Sequence, residues 1–180
     1  GAGGRAVTFD GGPVRGELGS SDLLWTYSPL QPAQRVYLPP GQLFASGDHV
    51  QVTTILGSCV AVCLFDNEAE VGGVNHFLLP HGTPPSARFA DHATTLLLQR
   101  VLALGAERER LRAKLFGGAY VLEALRASSA LGARNVEVAR ERLSAEGIPV
   151  VAEDTGGDLG RKLIFEVQTG SAWVRAIDAN

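Results

Sequence analysis

The 180-residue chain is the length of one domain, and its 45 % apolar residues are enough to bury a sizeable core. Charged residues make up 19 % and the net charge is −3, which argues against disorder and leaves no basic footprint for DNA or RNA. No apolar run approaches the ~18 residues of a membrane span and no cationic stretch leads into an apolar one, so neither membrane insertion nor secretion is expected.

Residues 1–35 are rich in Gly, Ser and Pro and carry only isolated apolar residues such as Leu23, Leu24 and Trp25. They show neither period 2 nor period 3.6, which predicts a partly irregular extension ahead of a domain spanning 36–178. Val36 to Leu38 reads as a strand before the turn Pro39-Pro40-Gly41, and Val50 to Leu56 is β-branched and partly alternating. Gly57-Ser58 breaks that run before Cys59 to Phe65, an apolar stretch of buried-strand type. Asp66-Asn67-Glu68 then turns the chain into Val71 to Leu79, closed by Pro80.

Helical spacing of Ala93, Leu97, Val101 and Leu104, with Gly105 just beyond, predicts one amphipathic helix starting near Asp91. Lys114 to Phe116 reads as a short strand ending at Gly117-Gly118, while Ala119 to Arg126 fits a helical turn or irregular chain equally well. A second helix carries Val136, Ala139 and Leu143 on one face and stops at Gly147 and Pro149. Ile148 to Ala152 is a strand, and Lys162 to Gln168 with Ser171 to Ile177 forms a hairpin around Thr169-Gly170. The sum is a mixed α/β domain of about eight strands and two main helices.

Both cysteines, Cys59 and Cys63, lie in one strand, whose four-residue separation of roughly 13 Å is beyond the reach of a disulfide. Free thiols fit a reducing cytoplasm. Cys63 sits mid-strand as a packing residue. Cys59 follows a small-residue break, where backbone amides can face the sulfur or an oxyanion, so it is the candidate nucleophile; a free core cysteine is the plainer alternative.

A thiol nucleophile needs a base, and His49, His76, His81 and His92 are available. His49 lies in a turn, and His81 and His92 fall in loop or early-helix positions. His76 interrupts an otherwise buried strand, and it stands nearly symmetric to Cys59 about the Asp66-Asn67-Glu68 turn, so hairpin pairing would set the two together. A zinc site from Cys59, Cys63, His76 and His81 has acceptable spacing, but strand geometry separates the cysteines, and no metal is expected. Gly156 to Arg161 lacks the strand-to-helix context of a phosphate loop.

The run Thr53-Thr54-Ile55-Leu56-Gly57-Ser58-Cys59-Val60-Ala61-Val62-Cys63 and the run Gly72-Gly73-Val74-Asn75-His76-Phe77-Leu78-Leu79-Pro80 closely resemble the CheD family of chemoreceptor glutamine deamidases. Arg88-Phe89-Ala90-Asp91, Lys114-Leu115-Phe116-Gly117-Gly118-Ala119, Gly132-Ala133-Arg134-Asn135, Glu146-Gly147-Ile148 and Asp154-Thr155-Gly156-Gly157 with Gly160-Arg161 follow in the family's order. The resemblance covers about Val36 to Ile177. One departure is Tyr120-Val121-Leu122 where the family commonly carries Met.

The resemblance implies a four-layer α/β/β/α fold like that of toxin-type cysteine deamidases. It implies conversion of selected receptor glutamines to glutamate, in some cases with receptor methylesterase activity. By it, Cys59 is the nucleophile, His76 its base, and Thr53, six residues before the cysteine, the group that orients the imidazole. Backbone amides of Ser58 and Cys59 are the expected oxyanion donors, with Gly57 and Asn75 in support. No cofactor is required. Implied partners are the helical cytoplasmic region of methyl-accepting chemoreceptors and a CheC-type phosphatase. A catalytically idle adaptor on the same fold and an amidase acting on small molecules are the competing readings.

Overall fold

The structure, a computed structural model, describes residues 7–8, 34–120 and 130–177. Its strands, in chain order, are β1 (Val7–Thr8), β2 (Gln34–Tyr37), β3 (Leu43–Ser46), β4 (Val50–Leu56), β5 (Val60–Asp66), β6 (Val71–Asn75), β7 (Arg112–Gly117), β8 (Val150–Thr155), β9 (Gly160–Glu166) and β10 (Ala172–Ile177). Two helices, α1 (Ala90–Ala103) and α2 (Leu131–Ala145), complete the regular structure, apart from a short 3₁₀ turn at Arg108–Arg110. The predicted extension falls mostly outside the described residues, as does most of the undecided stretch from Ala119 to Arg126.

The strands form two five-stranded sheets, ordered β1-β10-β9-β4-β2 and β3-β6-β5-β7-β8. Each is mixed: β2 runs parallel to β4 in the first and β7 parallel to β8 in the second, and every other pairing is antiparallel. Both described helices pack on the second sheet, α1 over β3, β5 and β6 and α2 over β5, β7 and β8. The expected α+β class with two mixed sheets is therefore present. Among the described residues the layers run helix, sheet, sheet.

The central strand β5 explains this layering. Its seven residues are all buried, so it must be covered on both faces, which is why it reads as a continuous apolar run. Val60, Val62 and Leu64 point into the core beneath the helices, while Ala61, Cys63 and Phe65 point into the core between the sheets. The alternation of β4 is one-sided: Val50, Val52, Thr54 and Leu56 are buried toward the second sheet, whereas Thr53 is partly exposed and Ile55 exposed.

Helix α1 turns Ala93, Leu97 and Val101 inward and ends as expected, with Gly105 at φ +110°. Helix α2 buries Val136, Ala139 and Leu143, and Gly147 at φ +71° follows it. One expectation needs correction. The strand predicted from Val71 to Leu79 ends at Asn75, because the chain beyond pairs with β5 only at Val60 and Phe77 before Leu78 and Leu79 turn their amides to Arg88 O. Strand β3 carries little sequence signal, since Leu43-Phe44-Ala45-Ser46 offers only two large apolar residues.

Asp66 closes the β5–β6 turn at the far end of the sheet from Cys59. Its carboxylate is fully buried and accepts backbone N–H bonds from Glu68, Ala69 and Glu107 as well as the Arg110 guanidinium at 3.0 Å. Burial raises its pKa, but the Arg110 hydrogen bond and the backbone amides outweigh it and hold the carboxyl at about 2.

Candidate active site

The register of the β5–β6 hairpin places Cys59 and His76 as neighbours on one face. Val60 and Phe77 exchange both backbone hydrogen bonds, at 3.2 and 3.0 Å, in continuity with the register that sets Cys63 opposite Val74. This register places Ala61 opposite His76. Cys59, two residues before Ala61 and on the same face, is therefore a diagonal cross-strand neighbour of His76. That face is the one between the sheets, where Cys59 packs against the inter-sheet core.

His76 is 1 % exposed. Its Nδ1 lies 2.7 Å from Thr54 Oγ1 on the opposing sheet, and the same hydroxyl donates to Leu38 O at 2.8 Å. A hydroxyl has one proton to give. Since Leu38 O can only accept, the Thr54 proton goes there, and the imidazole must donate its Nδ1–H to Thr54. Nε2 then carries the lone pair, the form a general base needs. It is buried and has no hydrogen-bond partner among the described residues.

The threonine in hydrogen-bond contact with His76 is Thr54, and not Thr53. Thr53 lies on the other side of β4, facing away from His76, and its place six residues before the cysteine does not decide its face. The strand's own period carried the signal: Thr54 is the polar member of the inward set Val50, Val52, Thr54 and Leu56.

Asn75 also departs from expectation. It is one residue from His76 and therefore faces the helices, and its Oδ1 accepts the Val62 N–H at 2.8 Å. It holds the hairpin rather than approaching the thiol.

The turn Gly57-Ser58-Cys59 is held by its carbonyls. Ala119 N–H donates to Gly57 O, Gly118 N–H donates to Cys59 O, and Asn135 Nδ2 on α2 donates to Ser58 O at 3.1 Å and to Leu78 O at 3.0 Å. Such close approach requires glycine. A Cβ on Gly117, which has φ +107°, would fall 2.3 Å from Cys59 O, and one on Gly132 would fall 2.5 Å from Gly118 O. Arg161, nearly buried, ties the outer side of this loop by donating to Gly117 O, Gly156 O and Asp154. Only folding brings Asn135 and Arg161 to the turn, so no local sequence signal connects them with it.

Electrostatics favour a neutral resting pair. Desolvation lowers the His76 pKa to about 4, and burial raises the Cys59 thiol above its usual range, offset only in part by its own backbone N–H. Cys63 is fully buried and its thiol is pushed up further, with Lys114 opposing weakly. His81 and His92 lie against Asp91, and His49 faces Glu166, all apart from the pair. A 440 Å³ cleft lined by residues including Asp91, His92, Gln99 and Arg142 touches neither Cys59 nor His76. Among the described residues no group of three or more His, Cys, Asp or Glu side chains is placed to hold a metal ion, and no helix is long and apolar enough to cross a membrane.

A family model described as CheD chemotactic sensory transduction matches residues 78–176, more than half of the chain. The chain is 48 % identical over 145 residues to "Probable chemoreceptor glutamine deamidase CheD 1" of Anaeromyxobacter dehalogenans strain 2CP-C, covering 79 % of this chain and 85 % of the relative. It is 43 % identical to "Probable chemoreceptor glutamine deamidase CheD" of Trichlorobacter lovleyi, over 77 % of this chain and 88 % of the relative. For the protein of that same name in Vibrio cholerae serotype O1 strain M66-2, the identity is 44 %, over 79 % of this chain and 65 % of the relative. A solved Neisseria meningitidis protein of the DUF152 family model has a TM-score of 0.43 and 12 % identity, over 82 % of this chain and 76 % of its own. The family model begins after Cys59 and His76, but a continuous match over 79 % of the chain must include both. On these matches the chain belongs to the CheD family.

Proposed function

We propose that the protein deamidates glutamine side chains of methyl-accepting chemoreceptors, with Cys59 as nucleophile and His76 as general base. The observation that carries this reading is the Thr54–His76 hydrogen bond, which leaves His76 Nε2 unprotonated on the face it shares with Cys59. The Cys59 thiol gives its proton to Nε2 as the sulfur attacks the carboxamide carbon. The resulting oxyanion is met by backbone amides of the Gly57-Ser58-Cys59 turn. Collapse breaks the C–N bond, and the imidazolium proton leaves with the amine as ammonia. A water then loses a proton to Nε2 and attacks the thioester, so that glutamate is released and the thiol restored.

The names of the relatives support a glutamine amide as the scissile group. Because a receptor methyl ester presents the same acyl carbon, the same machinery would accept it with methanol leaving. Family resemblance is the support for a CheC-type phosphatase as a partner and for action in the cytoplasm.

The test is ammonia release and intact-mass analysis of a chemoreceptor cytoplasmic fragment treated with wild-type protein, Cys59→Ala and Cys63→Ala. Wild type and Cys63→Ala should add about 1 Da per site and Cys59→Ala none. A fragment that is bound but never modified by wild type overturns the reading in favour of an adaptor.

A further inference from the structure

Pairing between β5 and the histidine segment stops at Val60 and Phe77. Beyond it Leu79 is committed elsewhere, its N–H to Arg88 O and its carbonyl to Ala90 N–H. At this open end the side chain of Asn135, fully buried on α2, reaches between the two chains and donates to Ser58 O and Leu78 O. Both partners are carbonyls, so the NH₂ end must face them and the amide orientation is fixed by the network.

In a trans peptide unit the C=O and the following N–H point in opposite directions. Drawing Ser58 O toward the helix layer therefore turns the Cys59 N–H toward the opposite side, which is the inter-sheet side that carries Cys59 and His76. Ala119 N–H pins Gly57 O in the same manner and fixes the neighbouring peptide unit.

We propose that Asn135 is a positioning residue that aims the Cys59 backbone amide at the oxyanion of the tetrahedral intermediate. The inference rests on the deamidase reading. Asn135 acts through the Ser58–Cys59 peptide unit and supplies no group to the substrate.

The test compares two reactions of one thiol. Deamidation passes through an oxyanion; alkylation by iodoacetamide is a displacement at a methylene carbon and forms none. Asn135→Ala and the near-isosteric Asn135→Leu, each verified as folded by circular dichroism, are assayed for kcat and KM on a chemoreceptor cytoplasmic fragment and for the iodoacetamide rate at Cys59. The expected result for either folded variant is a kcat at least about tenfold lower with KM within about twofold of wild type, and an unchanged alkylation rate. A kcat within about threefold of wild type overturns the proposal, as does an alkylation rate that falls in parallel with kcat, the signature of a merely structural role. If wild type alkylates normally but releases no ammonia, the deamidase reading itself fails and this inference falls with it. That outcome is distinct from an active wild type with equally active variants.

Discussion

Replacing Thr54 and Thr53 separately by valine tests which threonine serves the histidine. Thr54→Val keeps the shape and removes the hydroxyl, leaving Leu38 O and the His76 Nδ1–H unpaired in a region where Thr54 is 0 % and His76 1 % exposed. Each of these two orphaned buried groups costs about 1–3 kcal/mol, so the variant should lose about 2–6 kcal/mol in all. For a chain of this size that lowers Tm by about 4–24 °C. Catalysis should fall as well, because an imidazole freed from Thr54 can carry its proton on Nε2 and no longer accept the thiol proton; a loss of about tenfold or more in kcat is expected. Thr53→Val, on the far side of β4, should stay within about 0.5 kcal/mol and keep full activity. Calorimetry and ammonia release on the two variants read both effects. If Thr53→Val abolishes activity while Thr54→Val retains it, the tautomer argument is refuted.

The neutral resting pair predicts a particular pH profile for the thiol. With His76 at about 4 and Cys59 raised, iodoacetamide alkylation of Cys59 should show no plateau at acidic or neutral pH and should rise only through the alkaline range; a plateau below pH 7 would mean a standing thiolate–imidazolium pair instead. Asp66 predicts acid sensitivity. Its folded pKa of about 2 lies below the ordinary 3.8, so its contribution is complete above about pH 4 and disappears as pH falls toward 2. That contribution is about 2 kcal/mol, and Asp66→Asn should abolish this part of the acid dependence in urea melts; an unchanged pH 4-to-2 loss of stability in the variant would assign it to other groups.

Much of this architecture is legible in the chain because burial leaves a period. The boundaries of β4 follow from its β-branched run, and the all-buried β5 from seven consecutive residues without an exposed side. That Cys59 and His76 are neighbours could be read by folding the hairpin at its turn, whereas their diagonal offset follows from the closure at Asp66 and Val71. Residues that act across layers could not be read in this way. Thr54 was visible as a polar interruption of an apolar face, yet its partner lies 22 positions away on the other sheet. Asn135 lies 77 positions from Ser58 on a helix whose apolar face it shares, so no local pattern connects them. Lys114 reads as a strand-end cation but is 1 % exposed, with its ammonium 5.2 Å from the centre of the Phe65 ring.

The proposed site draws on all three described layers: Thr54 from the first sheet, Cys59 and His76 from the second, Asn135 from the helices. Its geometry therefore depends on the spacing between layers as well as on the hairpin. The inter-sheet contact at His76 is a single 2.7 Å hydrogen bond, and lengthening it by 1 Å would exceed any effective hydrogen-bond distance. Sheets pack about 10 Å apart through interdigitated side chains, so one extra methylene in the core around Leu56, Phe116 or Leu163 is enough to produce such a shift. The glycines at 117, 118 and 132 set the equivalent tolerance on the helix side, where a single Cβ would meet a backbone oxygen at 2.3 to 2.9 Å. Catalysis should consequently be more sensitive than stability to substitutions in both cores. Misplacement of about 1 Å can cost roughly a hundredfold in rate, equivalent to about 2.7 kcal/mol, while overpacking removes a similar amount, about 1–3 kcal/mol, from a folding free energy of about 5–15 kcal/mol, so the chain stays folded as its activity is lost.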